Sequence, residues 1–446
     1  MHLVIPNALA PCVCFVLGHL AMNNRHSCFA LIIACFCAIF LATPETAFAF
    51  DEFDTLYAPP RFALHHDNLT LEIKGRARIG LHDLQGEGGP GYDSPTDTAT
   101  IGTRSPFVEL DSFDLAFRLN WLETLWLNTN ISFLTDSTSL SAIYFEYRDE
   151  INDWYSHGLE VGYLSPVIAT DRRTARYPLI ALNYWKNPDY HVAYGAKFMV
   201  NDDISFNIYA SAGFMRPLRL EPIHGSPTYA GAYSTLAYGS STPYSGNSAS
   251  GTLYIKFLAH GFSLEGFGHI GQIVTKKGID TLVSSYTNYR SLDDFDPGCT
   301  DSIVWWAGGR LAYNNYGVHI MAEAIASQEQ HIQRTGMYAQ AGYTFTRDSD
   351  YFNTFELLAR FDALWTLGST KVQKTGVTLR STDINNAITW DHHIITLAAR
   401  ANIIEDILSL RLEYSFFLEK NGVPDLGYKD ISIDDNELLL QIEARY

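Results

Sequence analysis

Lys74, Arg76 and Arg78 stand two residues apart in one stretch, interleaved with Leu71, Ile73, Ala77 and Ile79. Successive side chains of an extended chain point to opposite sides, so the three cations share one face and the apolar residues the other. A row of cations lining a confined aqueous space favours anions. Facing acidic neighbours on the next strand, the same row forms cross-strand pairs instead. The arrangement recurs along the chain. Arg118 alternates with Phe117 and Leu119, Lys197 with Ala196 and Phe198, Arg360 and Asp362 with Ala359 and Phe361, and Arg411 and Glu413 with Leu410 and Leu412. Glu146 and Glu323 sit in weaker copies near 143–147 and 318–324. These eleven positions, Lys74 to Glu413, are the candidate pore lining. A separate basic group, Asp171, Arg172, Arg173 and Arg176, falls in a loop at 165–177; folded inward, it would constrict a channel.

Other chemistry is thinly represented. Phosphate-loop, dinucleotide-fingerprint and HExxH patterns are absent. The pairs His65-His66 and His392-His393 are sequence neighbours, so on strands their rings point apart and neither pair chelates; no metal and no cofactor is expected. Cys299 is the only cysteine beyond residue 40, which leaves the later chain without an internal disulfide. With 31 Lys and Arg against 49 Asp and Glu, nucleic acid is not an expected partner. No local signature of a barrel hydrolase or protease is present, and an enzyme is not expected.

The elements that must carry these residues are strands. From Leu69 onward the dominant period is two, in segments of roughly nine to twelve residues, the length a tilted strand needs to cross a bilayer. Short links such as His260-Gly261 and Asn201-Asp202-Asp203 alternate with long ones rich in Gly, Ser, Asp, Asn and Pro around 82–106, 214–251, 276–300, 367–390 and 419–434. The last segment ends the pattern cleanly: Leu438, Leu440, Ile442, Ala444 and Tyr446 share the apolar parity, whereas Leu439 is the one apolar residue on the other. A terminal aromatic on such a strand resembles the closing strand of bacterial outer-membrane barrels, where Leu438, Leu440, Ile442 and Tyr446 would serve as the signal to the barrel-assembly machinery. The expected fold is all-β, a transmembrane antiparallel barrel of sixteen strands, with eighteen the alternative. A tally of about seventeen segments, with directions that clash between 165 and 251, indicates a strand split or missed there, the candidate being 228–238.

Three segments follow. Residues 22–49 read as a secretory signal peptide: a basic start, an apolar run of about fifteen residues and an Ala47-Phe48-Ala49 cleavage site. A lipoprotein box at Cys35 is the weaker rival. Residues 1–21 read as an upstream extension with translation beginning at Met22, and 50–446 as the barrel.

Thr335-Gly336-Met337-Tyr338-Ala339-Gln340, then Glu356-Leu357-Leu358-Ala359-Arg360-Phe361-Asp362, and the final hairpin from Ile395 resemble the phosphate-selective porin O/P group over roughly the last 110 residues. The resemblance implies a sixteen-stranded barrel, a homotrimer and a solute pore. The group's basic lumen surplus has no counterpart in a chain of net charge −18, so phosphate specificity is not carried over. The expected function is a passive channel for small hydrophilic solutes or ions across the bacterial outer membrane, lodged in outer-membrane lipid, with a slight lean to cations from acidic loops. A non-conducting surface barrel, adhesive or structural, is the alternative, and a barrel enzyme a more distant one.

Overall fold

A computed structural model describes residues 62–84, 106–122, 124–134, 138–166, 168, 173–185, 189–214, 218–222, 234–238, 249–272, 303–329, 332–349, 351–368, 391–404, 407–420 and 436–445. The chain divides into two compact units, Met1–Glu45 and Thr46–Tyr446. The first unit, the signal-peptide and upstream-extension readings, Asp171, Arg172, Cys299 and Tyr446 lie outside the described residues.

A short strand β1 (Phe62–His66) turns into β2 (Leu69–Leu84). Then come β3 (Phe107–Trp121), β4 (Leu125–Phe133), β5 (Thr138–Asn152) and β6 (Tyr155–Leu164). A long connection holding the helix α1 (Leu179–Tyr184) leads to β7 (Asp189–Asn201) and β8 (Ile204–Phe214). The small hairpin β9 (Leu218–Pro222) and β10 (Ser234–Tyr238) precedes β11 (Ala249–Ala259), β12 (Phe262–Gln272) and β13 (Ile303–Asn315). The series ends with β14 (Val318–Glu329), β15 (Ile332–Thr346), β16 (Tyr351–Gly368), β17 (Asp391–Ile404), β18 (Leu408–Lys420) and β19 (Glu437–Arg445).

Each of β2–β8 and β11–β19 pairs antiparallel with its chain neighbours, and two further pairings, β8 with β11 and β19 with β2, close the sheet on itself. The result is a sixteen-stranded barrel with no free edge. The seventeenth segment is β1, which pairs with Leu69–Ile73 of β2, alongside the stretch Arg76–Leu84 that pairs with β19. It lies before Leu69, where the sequence tally began, and was not among the expected segments. The candidate strand near 228–238 is corrected: β10 exists but pairs only with β9, in a separate two-stranded sheet.

Turn chemistry fixes the two rims. Connections at one rim are two to four residues long, among them His260-Gly261 and Tyr316-Gly317. In both turns both residues take positive φ, 49° and 80° then 52° and 76°, the primed geometry that matches strand twist and favours Gly second. The other rim carries the long connections around 85–106, 165–188, 215–248, 273–302, 369–390 and 421–436.

The period-two pattern becomes an inside and an outside. Ile79, Phe145, Val192, Leu264, Leu357, Leu397, Leu412 and Leu440 are exposed on the outer face, together with Leu438 and Ile442 of the closing strand. Glu146, Lys197, Glu323, Arg360, Asp362, Arg411 and Glu413 are buried on the inner one. In water that polarity would be inverted; lipid outside requires it, because a closed barrel satisfies every backbone group without water.

Candidate functional site

The inner face carries the charges, and register decides which of them meet. Arg76 stands opposite Asp114 across β2–β3 and opposite Arg445 across β2–β19. Its Nη2 donates to Asp114 Oδ2 at 2.8 Å, and Arg78 Nη2 approaches the same oxygen at 3.4 Å. Arg78 Nε also lies 3.3 Å from Glu443 Oε2, while Arg445 Nε donates to Glu443 Oε1 at 2.8 Å and Arg400 Nη2 comes within 3.7 Å. Arg411 donates from Nη1 to Gln441 at 3.1 Å, and it stands directly opposite Arg400. Like charges directly opposite disfavour the sheet. Five arginines on adjacent strands thus meet three carboxylates, Asp114, Glu443 and Glu413, the last 3.5 Å from Arg411 Nε.

Lys74, buried beside them, completes the basic wall. Further round, Arg118 Nε donates to Asn128 Oδ1 at 3.0 Å and Asn128 Nδ2 to Glu146 Oε2 at 3.0 Å; Arg148 Nε bonds the other oxygen of Glu146. Lys197, opposite Ser156 and Asn207, is buried on the inner face of β7.

On β12 to β16 the pattern is tighter. Arg310 donates to Glu323 and to Glu265, each at 2.8 Å. Arg360 Nε donates to Asp362 Oδ2 at 2.8 Å. Here the connection between β6 and β7 enters the barrel. Arg173 donates to Glu356 at 2.6 Å, Arg176 Nη2 to Asp362 Oδ2 at 3.1 Å and to Thr396 at 3.0 Å, and the Ala175 amide to Glu413. Arg360 returns a bond to the carbonyl of Arg176 at 3.1 Å, and Arg310 Nη2 one to the Ile168 carbonyl at 3.2 Å. Burial, with Arg360 adding to it, draws the Arg176 guanidinium down to about 10 against the opposing pull of Asp362, so it is still charged at neutral pH.

The infolded segment runs past the expected end at 177. After Pro178 it forms α1, a helix no sequence pattern announced, and all six of its residues are buried. Leu179 packs with Leu364, Ile394 and Phe417 of the wall. Trp185 meets Phe267 and Trp306 with ring centroids 5.3 and 5.8 Å apart. Tyr184 Oη and Ser327 Oγ lie 2.7 Å apart, and Arg334 donates to Asn183 at 2.9 Å while stacking over the Tyr184 ring at 5.1 Å. Fully burying one Leu or Ile side chain stabilises by about 1.5–3 kcal/mol, whereas a buried ion pair comes close to cancelling its own desolvation.

The wall therefore departs from a uniformly polar lining. Phe267, Trp306, Ile325, Tyr338, Leu364, Ile394 and Phe417 all point inward. Trp306 lies nearer the long-loop rim than Arg310, Leu364 nearer than Asp362 and Phe417 nearer than Glu413, whereas on β15 Arg334 lies nearer that rim than Tyr338.

Sequence reasoning also passed over His82. It is buried with Nε2 at 2.8 Å from Asp111 and Nδ1 at 3.1 Å from Glu437, so it ties β2 to both β3 and β19 at the closing seam. A one-residue bulge in β3 opposite Arg78 and Ile79 aims Asp111 at it. As for the His pairs, His392 is buried inside, and His393 faces outward, accepting from Trp365 Nε1 at 3.0 Å. Among the described residues no group of three or more His, Cys, Asp or Glu is placed to hold a metal.

A closed, even-stranded antiparallel cylinder, oily outside and ionic inside, is a transmembrane β-barrel of the bacterial outer membrane. No family model matches the chain, and no curated protein matches it. Solved structures similar to it include OmpF of Salmonella typhi in complex with daunomycin, at 9% identity and a TM-score of 0.49, covering 86% of this chain and 100% of that one. OmpT of Vibrio cholerae, folded in vitro, is similar at 10% identity and 0.48, covering 86% and 99%. The outer-membrane channel DcaP of Acinetobacter baumannii is similar at 9% and 0.45, covering 86% and 99%. Likeness at this level concerns the fold, and nothing further is drawn from it.

Proposed function

We propose that the protein is a passive channel for small hydrophilic solutes and ions, with no cofactor and no covalent chemistry. The observation that carries the reading is the unequal wetness of the lumen. The infolded segment lies against β13–β18, where Arg360 and Asp362 are dry, while Arg400 and Arg445 keep 22% and 19% of their side chains exposed. Water thus reaches Arg400 and Arg445, and a solute path along this wall would meet five guanidinium groups and three carboxylates, Asp114, Glu443 and Glu413. That surplus favours anions along this wall, against the cation lean that acidic loops alone would give. The phosphate-selective porin O/P likeness and a homotrimer belong to this reading as its finer form, as do delivery by the barrel-assembly machinery through the closing strand and removal of a signal peptide.

Planar-bilayer recording of the refolded protein tests it. Stepwise openings, with a reversal potential in a salt gradient that favours the anion, are the expected result. Silence across repeated insertions would favour the non-conducting surface barrel, and openings that select cations would refute the role given to the arginine wall.

A further inference from the structure

We propose that the infolded segment is a fixed constriction held by an apolar anchor, and not a gate held by its salt bridges. Resting on the channel reading above, the proposal assigns the anchor to α1 and Trp185, seated on Phe267, Trp306, Gly336, Leu364, Ile394 and Phe417. The ionic contacts of Arg173 and Arg176 would then place the charged arm without holding it.

The seat is the first argument. Inward apolar side chains on a barrel wall would face water if the segment left, and they are not scattered. Gly336 stands opposite Leu364, and Ile394 opposite Phe417, in register on adjacent strands. Such a belt is favourable only while covered. Gly336 shows how close the cover lies: a Cβ there would sit 3.1 Å from Ile180 Cγ1 and 3.3 Å from Leu364 Cδ1. The wall thus has a notch where the helix presses on it.

The helix is the second. A six-residue helix on a wet surface keeps a polar face, yet every residue of α1 is buried. The backbone of β10 also comes close to it, as do the wall strands β15 and β16.

The arm supplies the contrast. Arg176 Nε and Nη1 and Arg360 Nη2 are buried without an acceptor among the described residues. A buried charge network with unmatched donors is a poor fastening, since each donor has given up water without a replacement.

Hydrogen–deuterium exchange on the refolded full-length barrel, read by mass spectrometry, separates the two halves of the segment. In Ile180→Ala and Gly336→Leu, peptides covering 173–185 should exchange about tenfold faster or more, because local opening no longer has to uncover the belt. In the double variant Arg173→Gln, Arg176→Gln they should stay within about twofold of the unmodified protein. Bilayer recordings should show added flicker between conductance levels in the anchor variants and none in the arm variant. Fast exchange in the arm variant, or unchanged exchange in Ile180→Ala, would overturn the proposal. If Gly336→Leu fails to form a heat-modifiable barrel, Ile180→Ala decides alone. A silent bilayer with the expected exchange pattern would refute the channel reading and leave the anchor standing.

Discussion

On β13, β14 and β16 the inward charges are dry: Arg310, Glu323, Arg360 and Asp362 expose 3% or less of their side chains. On β17, β19 and β2 exposure is mixed: Arg400, Arg445 and Arg76 keep 22%, 19% and 11% of their side chains exposed, whereas Arg78 and Glu443 keep 8% and 6%. Both sides use arginine against carboxylate on a period-two wall. What separates them is the segment from Arg173 to Trp185, which covers β16 and β17 around Asp362, Ile394 and Thr396 and leaves Arg400, nearer the short-turn end of β17, partly exposed. Dry pairs lose their desolvation energy and must be matched closely; damp ones act through their field, which salt screens. One alphabet thus does structural duty on one side and selective duty on the other.

Breaking the dry side should have the largest effect. Asp362→Ala leaves Arg176 and Arg360 buried without their shared carboxylate. A loss of about 3–5 kcal/mol is expected, read as a lower urea midpoint for the folded barrel in detergent. Leu364→Ala removes the centre of the apolar cluster with Leu179, Ile394 and Phe417 and should cost about 2–4 kcal/mol by the same measurement. At the closing seam, Gly80→Ala would put a Cβ 2.6 Å from His82 Nε2 and 2.7 Å from Asp111 Oδ2. Pushing the two apart should cost about 1–3 kcal/mol, seen as an earlier loss of the heat-modifiable band. On the damp side Glu443→Gln should change stability least, by about 1 kcal/mol. Its mark would be functional: with one negative charge removed from beside Arg78, Arg400 and Arg445, the reversal potential should move further toward the anion. An Asp362→Ala barrel as stable as the unmodified one would erase the distinction.

Much of this was legible because a barrel writes its fold in alternation. Lys74, Arg76, Arg360 and Arg411 were placed on the inner parity from their apolar neighbours alone, and His260-Gly261 read as a turn because only a two-residue link fits there. Sixteen strands were legible from the need for an even count, while β1, ahead of Leu69, was not read; its five residues sit on the same strand edge as β19. The seat of α1 was harder. Its signal is a doublet in which both parities turn apolar: Trp305-Trp306, Leu364-Trp365, Ile394-Ile395, Phe416-Phe417 and the lone Leu439. Such a doublet marks a wall residue with something dry on the inside, but only a known barrel gives it that meaning. The helix itself was illegible, since six residues offer less than two turns of periodicity. His82 was missed because its partners, Asp111 and Glu437, are brought together by a bulge and by closure of the first barrel strand on the last.

Cysteine accessibility during conduction tests the division of the lumen most directly. In a Cys299→Ser background, Arg400→Cys, where the side chain is 22% exposed, and Ser327→Cys beneath Tyr184 would each be exposed to a charged, water-soluble thiol reagent in a planar bilayer. The expected result is rapid, stepwise loss of current with Arg400→Cys and no change with Ser327→Cys. Block at residue 327 with none at 400 would place the water on the wrong side of the segment and contradict the account.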